Sequence, residues 1–245
     1  MKSLYLKLVT LFVLTGFIVA NAQKPVILWK KNYGGSLFDQ PFGTEQTMSG
    51  GLISGGHALS SDIDITSNYG DYDWWILKLD KDGNKLWSKS YGGSLYDKAR
   101  YAAENPDSTI IAFGSVRSND IDVSGSHGEN DYWLLKLDKN GDRIWAKCYG
   151  GTKEEGGRSA IHCLNGNYIC AGYTHSSDLQ VSNKYGAYDV WLVEVDPDSG
   201  NIVWEKSFGG SDVERVRSIY QWPNGDYVLQ EIQTLMIMTL PMLPL

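Results

Sequence analysis

The chain repeats itself. DYWLLKLDKNGDRIWAKCYGG, Asp131 to Gly151, recurs as DWWILKLDKDGNKLWSKSYGG from Asp73 to Gly93 and as DVWLVEVDPDSGNIVWEKSFGG from Asp189 to Gly210. The end of a further copy survives as LWKKNYGG, Leu28 to Gly35. The aromatic-Gly-Gly triplets begin at Tyr33, Tyr91, Tyr149 and Phe208, giving steps of 58, 58 and 59 residues, and Trp29, Trp87, Trp145 and Trp204 keep the same steps. A period of that length marks stacked supersecondary units, none of which buries its apolar surface alone. It constrains architecture closely and activity hardly at all.

Within one period the pattern supports four short strands. In the second copy these are expected at Ala99–Glu104, Thr109–Gly114, Asp131–Asp138 and Arg143–Tyr149, with a turn at Asn105-Pro106-Asp107 and Asn140-Gly141 as a two-residue hairpin turn. Along the third strand Trp133, Leu135 and Leu137 point one way and Tyr132 and Leu134 the other, so both faces carry bulky apolar groups. A sheet with one wet face would alternate more cleanly; sheets stacked around an axis bury both. The expectation is an all-β fold of β-propeller blades, each of four antiparallel strands, with about three and a half repeats in an incomplete, open propeller. The repeat domain spans 23–229, as repeats at about 34–92, 93–150 and 151–209 and a partial one at 210–229. The leading copy supplies only a closing strand, Ile27 to Tyr33. In a closed ring that strand completes the last blade and removes a free edge.

LDKNGDRIW, LDKDGNKLW and VDPDSGNIVW resemble the Trp-docking motif of quinoprotein-type propeller blades. Asp196, Ser199, Gly200 and Trp204 match its spacing, with Ser where Thr is usual, and the other two copies are one residue shorter. The unit as a whole, including GSVRSNDIDVSGSHGENDYWLLKLDKNGDRIW, is similar to the propeller repeats of bacterial exported and cell-surface proteins, across Trp29 to Leu229. The resemblance implies a fold, further domains downstream in an intact version, and little about activity, since propellers host many functions. The adjacent Cys pair and cofactor pocket of quinoprotein dehydrogenases are not in the sequence.

The N-terminus, MKSLYLKLVTLFVLTGFIVANAQ, has a basic start, an apolar run from Leu8 to Ala20 and an Ala20-Asn21-Ala22 cleavage pattern, so residues 1–22 read as a secretory signal. The apolar run is shorter than a spanning helix needs. The mature chain is expected to be secreted or held at the cell surface, with a periplasmic location as the alternative, and without a membrane span. The net charge of −7 argues against a nucleic-acid partner. Cys148, Cys163 and Cys170 are odd in number and read as small buried residues; across the Asn165-Gly166 turn Cys163 would face Tyr168 rather than Cys170.

After Leu229 the pattern fails. The chain continues QEIQTLMIMTLPMLPL where a fourth copy calls for a polar Asp-containing loop. Reading each codon's last base with the first two of the next forces Asp from Met236-Ile237 and from Met238-Thr239, at the positions where the repeat places its paired aspartates, and Gly or Arg from Gln230-Glu231. The tail, 230–245, is therefore expected to be out-of-frame translation, with LMIMTLPMLPL matching no strand of the blade.

Candidate chemistry is thin. The loop after the second strand carries Asp62 and Asp64, Asp120 and Asp122, and Asp178. Paired carboxylates of this kind suit Ca²⁺, but Gln180 interrupts the third pair and Asx turns explain the same residues. Asp80-Lys81-Asp82-Gly83-Asn84 opens like a Ca²⁺ loop, yet its glycine comes too early and a hairpin turn accounts for it. His57, His127, His162 and His175 form no ligand pair and default to surface or turn positions. No nucleophile elbow or phosphate loop is present, and the Gly34-Gly35 copies precede no helix. No catalytic residue and no cofactor are assigned. The expected role is a non-enzymatic binding or scaffold module with a protein or glycan ligand on the propeller loops. The alternative is a propeller-type carbohydrate-active hydrolase or lyase using carboxylates around the central channel.

Overall fold

The computed structural model describes residues 26–231 and 235–238. The expected signal, 1–22, and residues 232–234 and 239–245 of the tail lie outside them. Two compact units are distinguished, Met1–Lys30 and Lys31–Leu245. Residues 26–35 form no strand, which corrects the closing strand expected from Ile27 to Tyr33. A strand exists only as one side of a ladder, and no described strand pairs with this segment.

The second unit is a series of antiparallel sheets. The first contains β1 (Asp39–Gln46), β2 (Leu52–Ala58), β3 (Asp73–Leu79) and β4 (Lys85–Tyr91); the second β5 (Lys98–Glu104), β6 (Ile110–Val116), β7 (Asp131–Leu137) and β8 (Arg143–Tyr149). The third contains β9 (Glu155–His162), β10 (Tyr168–Thr174), β11 (Asp189–Val195) and β12 (Ile202–Phe208). The last contains β13 (Val216–Gln221), β14 (Tyr227–Glu231) and β15 (Leu235–Met238). In each sheet the strands pair in chain order, as a propeller blade requires. β15 pairs with β14 through Tyr227↔Met238 and Leu229↔Met236, so LMIM does occupy a strand position. It follows β14 after three residues, where β2, β6 and β10 are each followed by a fourteen-residue loop. β14 thus lies between β13 and β15, and LMIM takes the edge that the third strand of a blade would take.

β3, β7 and β11 are buried at every residue. That follows from the two-faced apolar pattern: in β7 one face packs against the first sheet and the other against the third. Trp74 and Ile76 share a core with Trp133 and Leu135. Tyr132 and Leu134, from the opposite face of β7, share another with Trp191 and Val193. Leu192 and Ile169 then pack with Ile219 and Leu229 of the last sheet. The Trp74 and Trp133 rings meet edge to face at 4.7 Å. Each fully buried side chain of this size contributes on the order of 2 kcal/mol or more.

The residues of the docking motif bind sheet to sheet. Tyr91 Oη donates to the Gly141 carbonyl (2.5 Å) and Trp87 Nε1 to that of Lys139 (3.1 Å), both in the β7–β8 turn of the next sheet. Tyr149 reaches Gly200 (2.7 Å) and Trp145 reaches Pro197 (3.3 Å) in the same way, and Tyr33 donates to the Gly83 carbonyl. In the third sheet the equivalent residue is Phe208, which has no hydroxyl.

The hairpin turn itself differs from expectation. Asp138 N donates to Asp142 O, so the loop is Lys139-Asn140-Gly141, three residues rather than two. Gly141 takes φ 82°, the left-handed position of a three-residue loop that ends in a bulge, and Asp138 Oδ1 accepts from Asn140 N and Asp142 N, both at 2.8 Å. The same geometry moves the β9–β10 register: Cys163 N bonds Asn167 O and His162, not Cys163, faces Tyr168.

Candidate binding site on the first-strand edge

The paired loop aspartates turn inward on the chain. Asp62 Oδ1 accepts from Ser36 N (2.8 Å), Asp120 Oδ1 from Ser94 N (2.8 Å) and Asp178 Oδ1 from Thr152 N (2.9 Å). These bonds favour the ionised form and hold all three carboxyls below their ordinary range. Asp64 and Asp122 accept from Gly34 N (3.3 Å) and Gly92 N (3.4 Å), and Gln180 does the same for Gly150 N (3.0 Å). An amide oxygen thus performs the task of the carboxylate, so the position requires an acceptor rather than a charge. The remaining oxygens of Asp64 and Asp122 face Lys85 (2.5 Å) and Arg143 (3.6 Å). In the Asp80 loop Oδ1 is taken by Asp82 N and Asn84 N, at 2.9 and 2.7 Å. Among the described residues no group of three or more His, Cys, Asp or Glu is arranged to hold a metal.

A second acidic set was not visible as a site in the sequence. Asp73 and Asp97, Asp131 and Glu155, and Asp189 and Glu214 flank Gly92, Gly150 and Gly209. A Cβ on Gly92 would stand 2.1 Å from Asp73 Oδ1 and 2.9 Å from Asp97 Oδ2, so those oxygens lie no more than the sum, 5.0 Å, apart. Burial, with the neighbouring Asp97 and Asp122 charges, raises the Asp73 carboxyl to about 7, and burial raises Asp97, Asp131 and Glu155 as well. Asp73 Oδ1 and Asp131 Oδ1 have no hydrogen-bond partner. Carboxyls this close call to mind a glycosidase acid/base pair, but these are sealed: Asp73 is 1% exposed and Asp97, Asp131 and Glu155 are 0%.

The thiols are equally enclosed. Cys148, Cys163 and Cys170 are free and buried, and burial pushes the Cys163 thiol up to about 12. Of the histidines, His57 is buried rather than at the surface. Burial, with Lys98 and Arg100 nearby, lowers it to about 4, so the ring is neutral. His127 pairs with Asp131 at 2.8 Å, His162 lies against Tyr168 and His175 against Tyr188.

The first strands form a further edge, where β1 abuts β5, β5 abuts β9 and β9 abuts β13, and β1 is its most exposed member. Each of these strands carries a bulge, and the unpaired residue is Phe42, Arg100, Arg158 or Arg217. In the first three sheets the bulge lies against a glycine of the second strand, whereas the β13 bulge stands opposite Gln230 and Glu231. A Cβ on Gly56, Gly114 or Gly172 would sit 2.2, 2.1 or 2.1 Å from the carbonyl of Gln40, Lys98 or Gly156; without one the bulged backbone closes in. Bulges re-aim side chains, commonly beside binding sites. Here they carry Arg100, Arg158 and Arg217, and Arg215, just before β13, makes the group four of the chain's six arginines. Arg100 lies 3.9 Å from the Phe42 ring centroid. Burial and the like charge of Arg158 lower Arg100 to about 10, and burial with Arg217 and Arg215 lowers Arg158 too. Arg215 stacks over Tyr188 (4.4 Å) and Tyr173 (4.6 Å), and its Nε is buried without a partner. The adjoining acid is Glu154, whose two oxygens accept from Tyr173 Oη (2.8 Å) and Tyr188 Oη (3.1 Å). On the other side Phe38, Phe42, His57, Tyr72 and Tyr96 form a run of ring contacts at 4.8 to 6.4 Å. Sequence reading missed this cluster, although its signal was present: Arg100, Arg158 and Arg217 recur at steps of 58 and 59.

No family model matches the chain, and no curated protein matches it. Solved structures do. One is a protein of unknown function from Bacteroides caccae, at 12% identity and a TM-score of 0.48, covering 82% of this chain and 59% of that one. Another is CoXyl43, a GH43 beta-xylosidase/alpha-arabinofuranosidase from a compost microbial metagenome, at 9% identity and a TM-score of 0.43, covering 78% and 69%. The sheets themselves place the chain among all-β folds of antiparallel four-stranded, propeller-type blades, left open rather than closed into a ring.

Proposed function

We propose that the chain is an exported or surface-held propeller module that binds a ligand without transforming it, and that the ligand meets the first-strand edge. The observation that supports this most is the division of labour among charged groups. The close carboxyls Asp73, Asp97, Asp131 and Glu155 are shut away from solvent, as structural parts are, while half-buried and exposed guanidiniums converge beside aromatic rings on the first-strand edge. Export rests on the basic-apolar-AxA order of the first 22 residues.

A hydrolase or lyase needs an acid/base pair that touches its substrate. The test is to incubate the full chain with a panel of neutral and acidic oligosaccharides and follow both binding and product release. Saturable binding with no product is the expected result. Turnover that disappears on a single carboxylate substitution establishes the enzyme instead.

A further inference from the structure

Resting on that reading, we propose that the first-strand edge recognises an acidic oligosaccharide, with Arg100, Arg158 and Arg217 taking its carboxylates and Phe38 and Phe42 taking the flat apolar faces of its rings. Three features point to an anionic ligand. The guanidiniums come from successive sheets at one structural position, so they are spaced by the repeat, as the charges of a polymer of identical units are. No hydrogen bond or ion pair to an acid is formed by Arg100, Arg158 or Arg217 among the described residues. Gathering like charges in this way costs free energy, and an anion offsets it. The gathering also runs against a chain whose net charge is −7, so it is local rather than a general basic surface.

The chemistry of the residues narrows the class. The planar guanidinium fork matches a carboxylate with two parallel hydrogen bonds. The aromatic side of the edge is open, with Phe38 55% and Phe42 37% exposed. An aromatic platform next to a cation suits a ligand that presents apolar ring faces and anionic groups alternately, which a uronic-acid oligomer does. An acidic peptide supplies the charge but no stack of flat rings.

The test uses the full chain and tri-galacturonate, its methyl ester as the neutral isostere, and a hexaglutamate peptide, by calorimetric titration at two salt concentrations. Tri-galacturonate is expected to bind saturably, to weaken as salt rises, and to lose at least about tenfold in affinity on esterification. Arg100→Gln and Arg158→Gln are each expected to cost about tenfold, the scale of a lost charge-assisted pair. Arg217→Gln, at an exposed position, serves as the variant whose folding is not at issue, and Arg158→Lys keeps the charge while removing the fork. The proposal is overturned by equal binding of acid and ester, by arginine variants that fold and bind unchanged, by hexaglutamate binding as tightly, or by no binding of any anion. Neutral-glycan binding indifferent to the arginines sinks this inference and leaves the binding module standing. Cleavage of the oligomer sinks the non-enzymatic reading and leaves the recognition of acid intact.

Discussion

At Asp73 a carboxyl is buried with one oxygen bonded to Tyr69 N and the other unpartnered. The groups facing it are Asp97, Asp122 and the amide of Gly93. Its carboxyl is raised from 3.8 to about 7, so the folded chain holds a proton there that the unfolded chain releases. Stability from this group is therefore full below about pH 4 and is lost as pH rises towards 7. Asp73→Asn removes the titration while keeping the shape. The melting temperature of this variant relative to the parent is expected to be higher at pH 8 than at pH 5, and a pH-independent difference refutes the assignment. A second residue-scale strain is Ile121, whose φ of 56° is rare for a β-branched residue; Ile63 and Leu179 repeat it at 57° and 54°. The side chain is 59% exposed, so Ile121→Asn gives up little burial. It should stabilise by about 1 kcal/mol, read as a raised urea midpoint with an unchanged slope.

The strands were legible because their pattern is redundant: DWWILKL, DYWLLKL and DVWLVEV all read as two-faced strands, and every residue of β3, β7 and β11 is buried. The bulges were not. Arg100 in β5 is one more polar residue on a strand, and the only mark of its displacement from register is Gly114, on which the Lys98 carbonyl closes. Backbone contact between two strands leaves no periodic trace beyond the glycine. Likewise Asn140-Gly141 signals a turn, but the Asp138 carboxylate on two amides decides that it is three residues long. The loop aspartates were legible as a pattern, whereas their partners lie 26 and 30 residues away and belong to tertiary structure. Gly114→Ala tests the element directly. A Cβ 2.1 Å from the Lys98 carbonyl forces β5 outward, and the expected loss is about 2 kcal/mol or more, together with acidic-oligosaccharide binding. Unchanged binding in a folded Gly114→Ala protein separates the bulge from the site.

Across the whole molecule, sheets are joined by cores and by the aromatic hydroxyls that reach the next hairpin. Removing one hydroxyl strands a buried carbonyl, so Tyr149→Phe should cost about 1 to 3 kcal/mol. Because the loss falls between the second and third sheets rather than within either, cooperativity should suffer along with stability. Hydrogen exchange should show the two sides of that junction opening at different denaturant concentrations, and a single coincident transition argues against a junction role. The third sheet already carries Phe208 at this position. The bulge arginines have a different consequence at this scale. One guanidinium comes with each blade after the first, so duplicating a repeat adds a unit of positive potential to the shared rim without designing a new pocket. Lineages of such chains can titrate their attraction to a charged polymer by copy number, gaining or shedding grip in whole steps as blades are inserted or deleted.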